Sequence, residues 1–312
     1  MEKYSIKMPD KDFKFLESNP NAKGSRVKKI VIDNNGDKAF FKYEGNGYLV
    51  SEACSEKMSY EIANILGYDC ARIELANDKE GRLGVLNYLF IDIGNTEHID
   101  AVSYLNIHDT ERPKYYTISN IKKTLDGLDK NLFEGFIKIM VFDALIGEQD
   151  RHEENWGITR IENQYKFSPL YDNGDNLLRD FKNEQLAEKY YSGQKDFDAY
   201  INKSKTIIYK EDYEKQYKHF ELIEYLNENY HDIVQKEIRN LEKLTDQTII
   251  DIVEKIPDDL LTKMHKKYII NYLKKRRNIL LNINWLGRKK WKKNYGLFGN
   301  IQKQEEDIRL EF

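Results

Sequence analysis

Residues 147–157 read GEQDRHEENWG, and this stretch decides how the rest of the sequence is interpreted. Within it, Asp150 and Asn155 stand five positions apart, directly after a predicted apolar helix over residues 133–145. A loop with this pair can orient a hydroxyl nucleophile with the carboxylate while the amide oxygen holds a magnesium ion, as in phosphoryl-transfer loops. Taken alone the spacing is weak evidence, because a chain rich in Asp and Asn contains roughly one or two such pairs by chance.

A second element follows at Ser168–Gly174, which reads SPLYDNG. Its Asp172-x-Gly174 core is typical of the loop that carries a second magnesium ligand, with the glycine permitting the turn. It follows a predicted polar hairpin over Thr159–Phe167, as a metal-binding Asp at the end of a strand should. Two elements in the right order favour Asp150 as the base and Asn155 and Asp172 as metal ligands. Two ordinary Asp–Asn turns are the alternative.

Upstream, the sequence predicts a β-hairpin and then a helix. Val27–Ile32 and Lys38–Tyr43 are strand-like and flank a turn centred on Asn35-Gly36. Ser51 is a predicted N-cap for a helix that runs to Leu66 and closes at Gly67. The apolar residues of this helix recur every three or four positions and predict one buried stripe. They are Cys54, Met58, Ile62, Ile65 and Leu66.

Lys42, near the end of the second strand, is the predicted ligand of the α- and β-phosphates of a nucleotide. Its preferred partner on the following helix is Glu56, with Glu52 and Glu61 as rivals. A strand lysine is by itself more often a solvated edge residue. Only its order relative to Asp150 and Asp172 supports the assignment.

The loop before the first strand, residues 19–26, contains one useful glycine and is not a Walker A sequence. Its backbone near Gly24, together with Ser25, Arg26 and Lys28, could cover phosphates. A basic surface turn explains the same residues equally well.

The strand signals are concentrated in the first third of the chain, with two more strands predicted over Cys70–Ala76 and Arg82–Phe90, and helical periodicity begins near residue 117. Leu177–Asp212 is weakly periodic, which suits a long excursion or an irregular helical region, whereas 213–254 and 260–283 return to helical periodicity. The predicted fold class is therefore α+β, with a β-rich N-lobe over residues 1–92, a helical C-lobe over 93–285 and a tail over 286–312.

Composition limits the classes of function. Hydrophobic residues make up 40% of the chain and charged residues 33%, and the net charge of −3 gives no general affinity for nucleic acid or membranes. Two cysteines are too few for a disulfide framework. No signal peptide or membrane span is expected, so the cytoplasm is the expected compartment, although signal-independent export leaves no mark in a sequence. The oligomeric state is left open.

With these pieces assembled, the sequence resembles the HipA-like serine/threonine kinases, and especially their compact members without an additional N-terminal domain. Four stretches carry the resemblance: residues 24–42, 51–67, 142–157 and 168–174. The resemblance implies a bilobed protein-kinase-like fold that binds ATP and Mg in its cleft and phosphorylates a Ser or Thr of a protein substrate. It implies that Lys42 binds phosphate with Glu56 as its partner, that Asp150 is the catalytic base, and that Asn155 and Asp172 ligate the metal.

The same resemblance implies three finer features. The adenine-contacting hinge falls at Asn87, Tyr88, Leu89 and Phe90. Ser25 matches a serine that HipA-type kinases phosphorylate in their own phosphate loop, which implies autophosphorylation. An antitoxin-like partner and a toxin-like or effector role are further implications.

The sequence also departs from the family pattern. Glu148 stands where relatives often carry Asn, and Asp175-Asn176 replace a Ser-Ser pair. The first change adds a carboxylate near the predicted metal ligands. The second leaves the contacts with the substrate undetermined, but not the class of reaction. We interpret His152 as a structural residue that supports the loop by hydrogen bonds.

Basic clusters at Lys274–Arg277 and Arg288–Lys293 fit either a phosphate-rich partner or a solvated helix face with a tail, and the slightly negative net charge favours the latter. Nucleic acid binding is therefore not expected except through this tail. Two other functions compete with a protein kinase. A phosphoinositide kinase also uses an Asp-Arg-His-x-x-Asn loop, and a pseudokinase would act as an ATP-gated binding module.

Overall fold

The computed structural model describes residues 1–16, 28–44, 50–91, 95–105, 112–179, 181 and 184–283. Its strands are β1 Phe13–Phe15, β2 Lys28–Asp33, β3 Lys38–Tyr43, β4 Ile73–Asn77, β5 Leu83–Tyr88, β6 Glu97–Asp100, β7 Gly157–Ile161, β8 Gln164–Phe167, β9 Lys205–Tyr209 and β10 Gln216–Lys218. Its helices are α1 Glu52–Leu66, α2 Ala101–Leu105, α3 Arg112–Tyr115, α4 Ile118–Leu128, α5 Leu132–Ile146, α6 Glu184–Tyr191, α7 Phe197–Lys203, α8 His219–Asn229, α9 His231–Asn240, α10 Asp246–Glu254 and α11 Lys263–Leu281. A 3₁₀ turn at Leu241–Lys243 joins α9 to the loop before α10.

An antiparallel five-stranded sheet in the order β1-β2-β3-β5-β4 forms the N-lobe. Its β2–β3 hairpin closes at the predicted turn, where Asp33 Oδ1 accepts the N–H groups of Asn35 and Asp37 and Gly36 has a φ of +88°. The register places Lys28 opposite Lys42, and Lys42 opposite Val85 of β5. The hairpin therefore fixes which residues share a face with Lys42.

The two faces of this sheet bury different residues, because successive strand side chains alternate. Phe41 and Leu86 belong to a small core with Phe13 of β1, on one face. Val85 and Leu75 lie on the other face and join the main core with α1. Lys42 therefore points towards α1 and the helical lobe, and away from the small core.

Helix α1 has the bounds that its sequence predicts. Ser51 Oγ accepts the backbone N–H of Cys54 at 3.2 Å, and Gly67 ends the helix with a φ of +70°. Four of the five predicted stripe residues are buried, but the prediction for Ile65 is wrong, because its side chain is 41% exposed. Ile65 precedes the buried Leu66, so the turn of the helix carries it out of the stripe.

Helix α5 is the centre of the C-lobe. Twelve of its residues are buried, and it packs against α4, α8, α9 and α11. It ends at Gly147, which has a φ of +76° and lies so close to Tyr272 that an added Cβ would meet the tyrosine hydroxyl at 2.0 Å. The loop with Asp150 starts directly after this fixed helix end.

Several elements were not predicted from the sequence. They are β1, β6, the short helices α2 and α3, and the hairpin of β9 and β10. The region over 177–212 contains α6 and α7, in agreement with the irregular helical alternative, and also β9, which was not predicted. The predicted helical region after 213 begins with β10. These elements are three to eight residues long, which is too short for a period to be recognised.

The first residues of the chain connect the two lobes. Tyr4 donates its N–H to Lys255 O at 2.7 Å in the C-lobe, and Lys7 donates its N–H to Leu75 O at 2.8 Å on β4. Within the described residues, no helix has the length and apolarity needed to span a bilayer. The predicted boundary at residues 92–93 and the predicted tail over 286–312 lie outside the described residues.

Candidate active site

The loop with Asp150 is anchored by the buried guanidinium of Arg151. Arg151 pairs with Asp143 of α5, with Nη2–Oδ1 at 2.9 Å and Nε–Oδ2 at 3.1 Å. It also donates to the carbonyl oxygens of Asn155 and Tyr171 at 3.0 and 2.9 Å and to Asn173 Oδ1 at 2.5 Å. One side chain therefore ties α5, the loop with Asp150 and the loop with Asp172 together.

Asp150 projects from this loop as an exposed carboxylate. Its backbone carbonyl accepts the N–H of His152 at 2.8 Å and Asn155 Nδ2 at 2.7 Å. Although the side chain is exposed, desolvation by the surrounding atoms raises the pKa of Asp150. The charges of Asp175 and Asp172 raise this pKa further, and those of His152 and Arg151 oppose the rise. A carboxylate in such surroundings accepts a proton more readily than an isolated Asp does.

Asn155 is buried beside Asp150, and its NH₂ group is bound to the Asp150 carbonyl. The amide oxygen is therefore the atom that Asn155 can offer to a metal ion. The structure places Asp172 of the C-lobe in contact with Lys42 of the N-lobe. Burial alone would raise the pKa of Asp172, but the charges of Lys42, Lys28 and Arg151 hold it below its ordinary value.

Lys42 is one of the links between the lobes. Its ammonium bonds Glu56 Oε1 at 2.7 Å and Glu52 Oε1 at 2.8 Å, and it contacts the carboxylate of Asp172. Burial lowers the pKa of Lys42, but Glu56 and Asp172 more than compensate, so its pKa is raised and the amine is charged. The preferred partner Glu56 and the rival Glu52 thus both contact Lys42, whereas Glu61 pairs with another lysine of α1.

Glu52 has partners in the C-lobe as well. Arg179 donates to Glu52 Oε2 at 3.2 Å and to Asp175 Oδ1 at 3.2 Å. Oxygens of Glu52, Glu56 and Asp172 lie within 4.8 Å of one another, a spacing that suits an ammonium or a divalent cation. The segment after Asp172 is thereby joined to the helix that positions Lys42.

Gly174 has a different role from the predicted one. The left-handed residue of this loop is Asp172, with a φ of +54°, and Gly174 is not in that region. A Cβ on Gly174 would lie 2.7 Å from Glu52 Cγ. Glycine is therefore required because α1 approaches the loop closely.

Of the predicted phosphate loop, only Lys28 lies within the described residues. It stands opposite Lys42 in the β2–β3 register, and its charge contributes to the lowered pKa of Asp172. Gly24, Ser25 and Arg26 lie outside the described residues.

The predicted hinge divides between the two faces of the sheet. Asn87 pairs with Phe40 and shares the face of Lys42. Tyr88 lies on the opposite face, where Arg72 stacks on its ring at 3.4 Å, so its side chain faces away from the cleft. Leu89 donates its N–H to Lys38 O at 3.0 Å.

Phe90, the last hinge residue, packs on Tyr171, with ring centroids 5.7 Å apart. Tyr171 directly precedes Asp172, so the hinge contacts the loop that carries a candidate metal ligand.

His152 accepts the N–H of Glu154 on Nδ1 at 3.2 Å, and its Nε2 lies 3.9 Å from Asp150 Oδ2.

Sequence reasoning missed several residues of this site. No local pattern predicts what Arg151 and Arg179 bind, and Glu52 was predicted only as a rival of Glu56. Ile30 and Phe40 are half-buried on the face of Lys42 and are candidates for contact with an adenine ring. Their even spacing from Lys28 and Lys42 along the strands could have identified them.

Comparisons with known proteins identify chains that are similar to this one in sequence and in fold. The chain is 24% identical over 302 residues to the serine/threonine-protein kinase CtkA of Helicobacter pylori, with 88% of each chain covered. The crystal structure of a Helicobacter pylori proinflammatory kinase CtkA matches with a TM-score of 0.71 and 20% identity, over 86% of this chain and 94% of that one. A chain from the complex of HipA, HipB and operator DNA of Shewanella oneidensis matches with a TM-score of 0.55 and 13% identity, over 85% of this chain and 66% of that one.

These likenesses confirm the predicted bilobed α+β fold. The family model of the HipA-like C-terminal domain matches residues 21–236, which is more than half of the chain. The chain therefore belongs to the family of the HipA-like C-terminal domain.

Proposed function

We propose that the protein is a serine/threonine kinase that transfers a phosphoryl group from ATP with the help of magnesium. The observation that supports this most strongly is the contact of the Lys42 ammonium with both Glu56 of α1 and Asp172 of the C-lobe. This arrangement holds a cation where nucleotide phosphates are bound in kinases, with a candidate metal ligand beside it.

The residues of the cleft fit ATP and magnesium chemically. Asn155 and Asp172 offer an amide oxygen and a carboxylate, which are hard oxygen ligands that suit Mg²⁺. Lys42 and Lys28 lie side by side on neighbouring strands and offer positive charge to phosphates. When bound, ATP supplies the phosphoryl group and magnesium neutralises its charge.

Asp150 orients the acceptor hydroxyl and accepts its proton as the oxygen attacks phosphorus. Its carboxylate is exposed on the loop, so a serine or threonine of another protein can reach it. Lys42 holds the phosphates in place, and Glu52 and Glu56 fix Lys42 from α1. Asn87 at the end of β5, and Leu89 and Phe90 directly after it, would contact the adenine.

A binding-only function is less well supported, because such a protein need not retain Lys42, Asp150, Asn155 and Asp172 together. The acceptor class is tested by incubating the protein with labelled ATP and either a protein or a phosphoinositide acceptor. We expect label on Ser or Thr of proteins, and none when Asp172 is replaced by Asn. Label only on the lipid would establish the phosphoinositide alternative.

Two finer proposals follow from the family. Autophosphorylation at Ser25 is tested by mass spectrometry after incubation with ATP, and an unmodified Ser25 in an active preparation would contradict it. The Shewanella structure contains HipA together with HipB, and by this likeness an antitoxin-like protein is a candidate partner. Co-purification from the native cell, identified by mass spectrometry, tests the second proposal.

A further inference from the structure

Glu148 is a carboxylate buried in the turn between α5 and Asp150, with 2% of its surface exposed. Its Oε1 accepts the backbone N–H of Asp150 at 2.9 Å, and its Oε2 accepts Nδ2 of Asn176 at 3.0 Å. Both oxygens thus bind N–H donors, one from the loop of the candidate base and one from the segment after Asp172. A buried carboxylate without such donors would be strongly destabilising.

Asn176 extends this connection in two directions. Its NH₂ group also donates to Asn173 O at 2.7 Å, and its Oδ1 accepts the hydroxyl of Ser59 at 3.4 Å. Ser59 is buried on α1, one turn after Glu56. A continuous chain of hydrogen bonds therefore runs from the Asp150 amide through Glu148 and Asn176 to α1.

The backbone of Glu148 is held independently of its carboxylate. His219 Nε2 lies 2.6 Å from Glu148 O, and burial together with Arg276 lowers the pKa of His219 to about 3, so the neutral ring donates this bond. A change in the Glu148 side chain should therefore leave the backbone path in place. Burial raises the pKa of Glu148 itself to about 7, although Arg151 opposes the rise.

We propose that Glu148 and Asn176 form a bridge of positioning residues, which fixes the Asp150 loop relative to the Asp172 segment and α1. The inference rests on the proposed kinase function for its kinetic consequences only. The two departures from the family pattern, at positions 148 and 176, are connected through this bridge, because the side chain of Asn176 donates a hydrogen bond to that of Glu148.

The bridge is tested by exchanging donors and acceptors between the two positions. Glu148→Gln places an NH₂ group against either the Asp150 N–H or the Asn176 NH₂, and Asn176→Asp places one carboxylate against another. The double variant, Glu148→Gln with Asn176→Asp, restores one donor–acceptor pair between the side chains. It leaves Asn173 O without its donor, so the rescue should be partial.

We expect each single variant to lower kcat by about tenfold or more, because a small displacement of a catalytic group has a large kinetic effect. The KM for ATP should change by less than about threefold, because Lys42 and its partners are unaltered. The double variant should recover at least about threefold in kcat over the worse single variant. Glu154→Gln is the matched control: this exposed carboxylate lies on the same loop, and its removal should leave kcat unchanged.

A second measurement does not depend on activity. Hydrogen exchange of the peptide over residues 147–157 should accelerate in each single variant and slow again in the double variant, with all proteins folded by circular dichroism. Additive effects of the two substitutions on both exchange and kcat would overturn the bridge. An inactive wild-type protein with non-additive exchange would instead contradict the kinase function and leave the bridge standing.

Discussion

The ammonium of Lys42 on β3 contacts the carboxylate of Asp172, which lies 130 residues further along the chain. The same ammonium bonds Glu52 and Glu56 of α1, so three carboxylates from two lobes surround one cation. A buried charge cluster of this kind is stable only while its members remain balanced. The site is therefore sensitive to the loss of any one of them.

Replacement of Lys42 by Met should lower the free energy of unfolding by about 3 kcal/mol at pH 7, because it leaves Glu52, Glu56 and Asp172 without their central cation. The pKa of Asp172 is lowered in the folded protein, so its pairing stabilises the fold above its unfolded pKa of roughly 4 and is lost as the pH falls through the folded pKa. The difference between wild type and variant should shrink below about pH 4. Urea denaturation at pH 7, 5 and 3.5 measures it, and a difference independent of pH would argue against this charge balance.

Arg179 is expected to control the affinity for ATP through Glu52, which it holds at 3.2 Å. Arg179→Ala should raise the KM for ATP by roughly three- to tenfold, because Glu52 then positions Lys42 less firmly, and Arg179→Lys should recover part of the loss. Arg82→Ala serves as the control, since Arg82 is exposed, forms ion pairs with Asp78 and Glu80 and stacks on the ring of Tyr43, without an ion pair to Glu52. Equal KM values for the Ala variant and wild type would rule out this coupling.

Gly174→Ala should reduce kcat/KM by about tenfold, because the new Cβ would lie 2.7 Å from Glu52 Cγ and must displace α1 or the loop. The matched substitution Gly127→Ala adds a methyl group to an exposed position of α4 with no atom within 4 Å, and it should be neutral or slightly stabilising. Shortening the opposing side chain with Glu52→Ala should relieve the clash in the double variant. A kcat/KM for Gly174→Ala alone that equals the wild-type value would show that α1 does not approach residue 174 tightly.

Arg151→Met should cost about 3–5 kcal/mol of stability, because Asp143 would remain buried in α5 without its partner. Burial raises the pKa of Asp143 even in the presence of Arg151, so the double change Arg151→Met with Asp143→Leu should recover much of the loss. Equilibrium unfolding in urea measures both variants. A single variant as stable as wild type would contradict the anchoring role.

The sequence was most informative where the pattern is local. The β2–β3 hairpin was predictable because Asn35-Gly36 favours one turn, and α1 because Ser51 and Gly67 mark its two ends. The candidate site could be predicted only from the types of its residues and from their order along the chain. Both Glu52 and Glu56 contact Lys42 because α1 packs against the sheet and α10, and no local pattern of the sequence predicts that packing.

What could not be predicted depends on contacts between distant segments. No local pattern predicts the partners of Arg151 and Arg179, which are identified only when α1, α5 and the Asp172 loop are brought together. Gly174 was expected to permit the turn, but glycine is needed at this position because Glu52, on a helix more than 100 residues earlier in the chain, approaches it closely. Glu148 and Asn176 were noted separately as departures, and only the fold joins them.

Phosphoryl transfer by the Asp150→Asn variant tests the kinase assignment most directly. The substitution keeps the shape of the side chain and removes the group that accepts the proton of the acceptor hydroxyl. We expect transfer of label from ATP to a Ser/Thr protein acceptor to fall by about 10²-fold or more, while the Kd for ATP changes by less than about threefold. An Asp150→Asn variant that transfers label as fast as wild type would contradict the assignment of a kinase with Asp150 as its catalytic base.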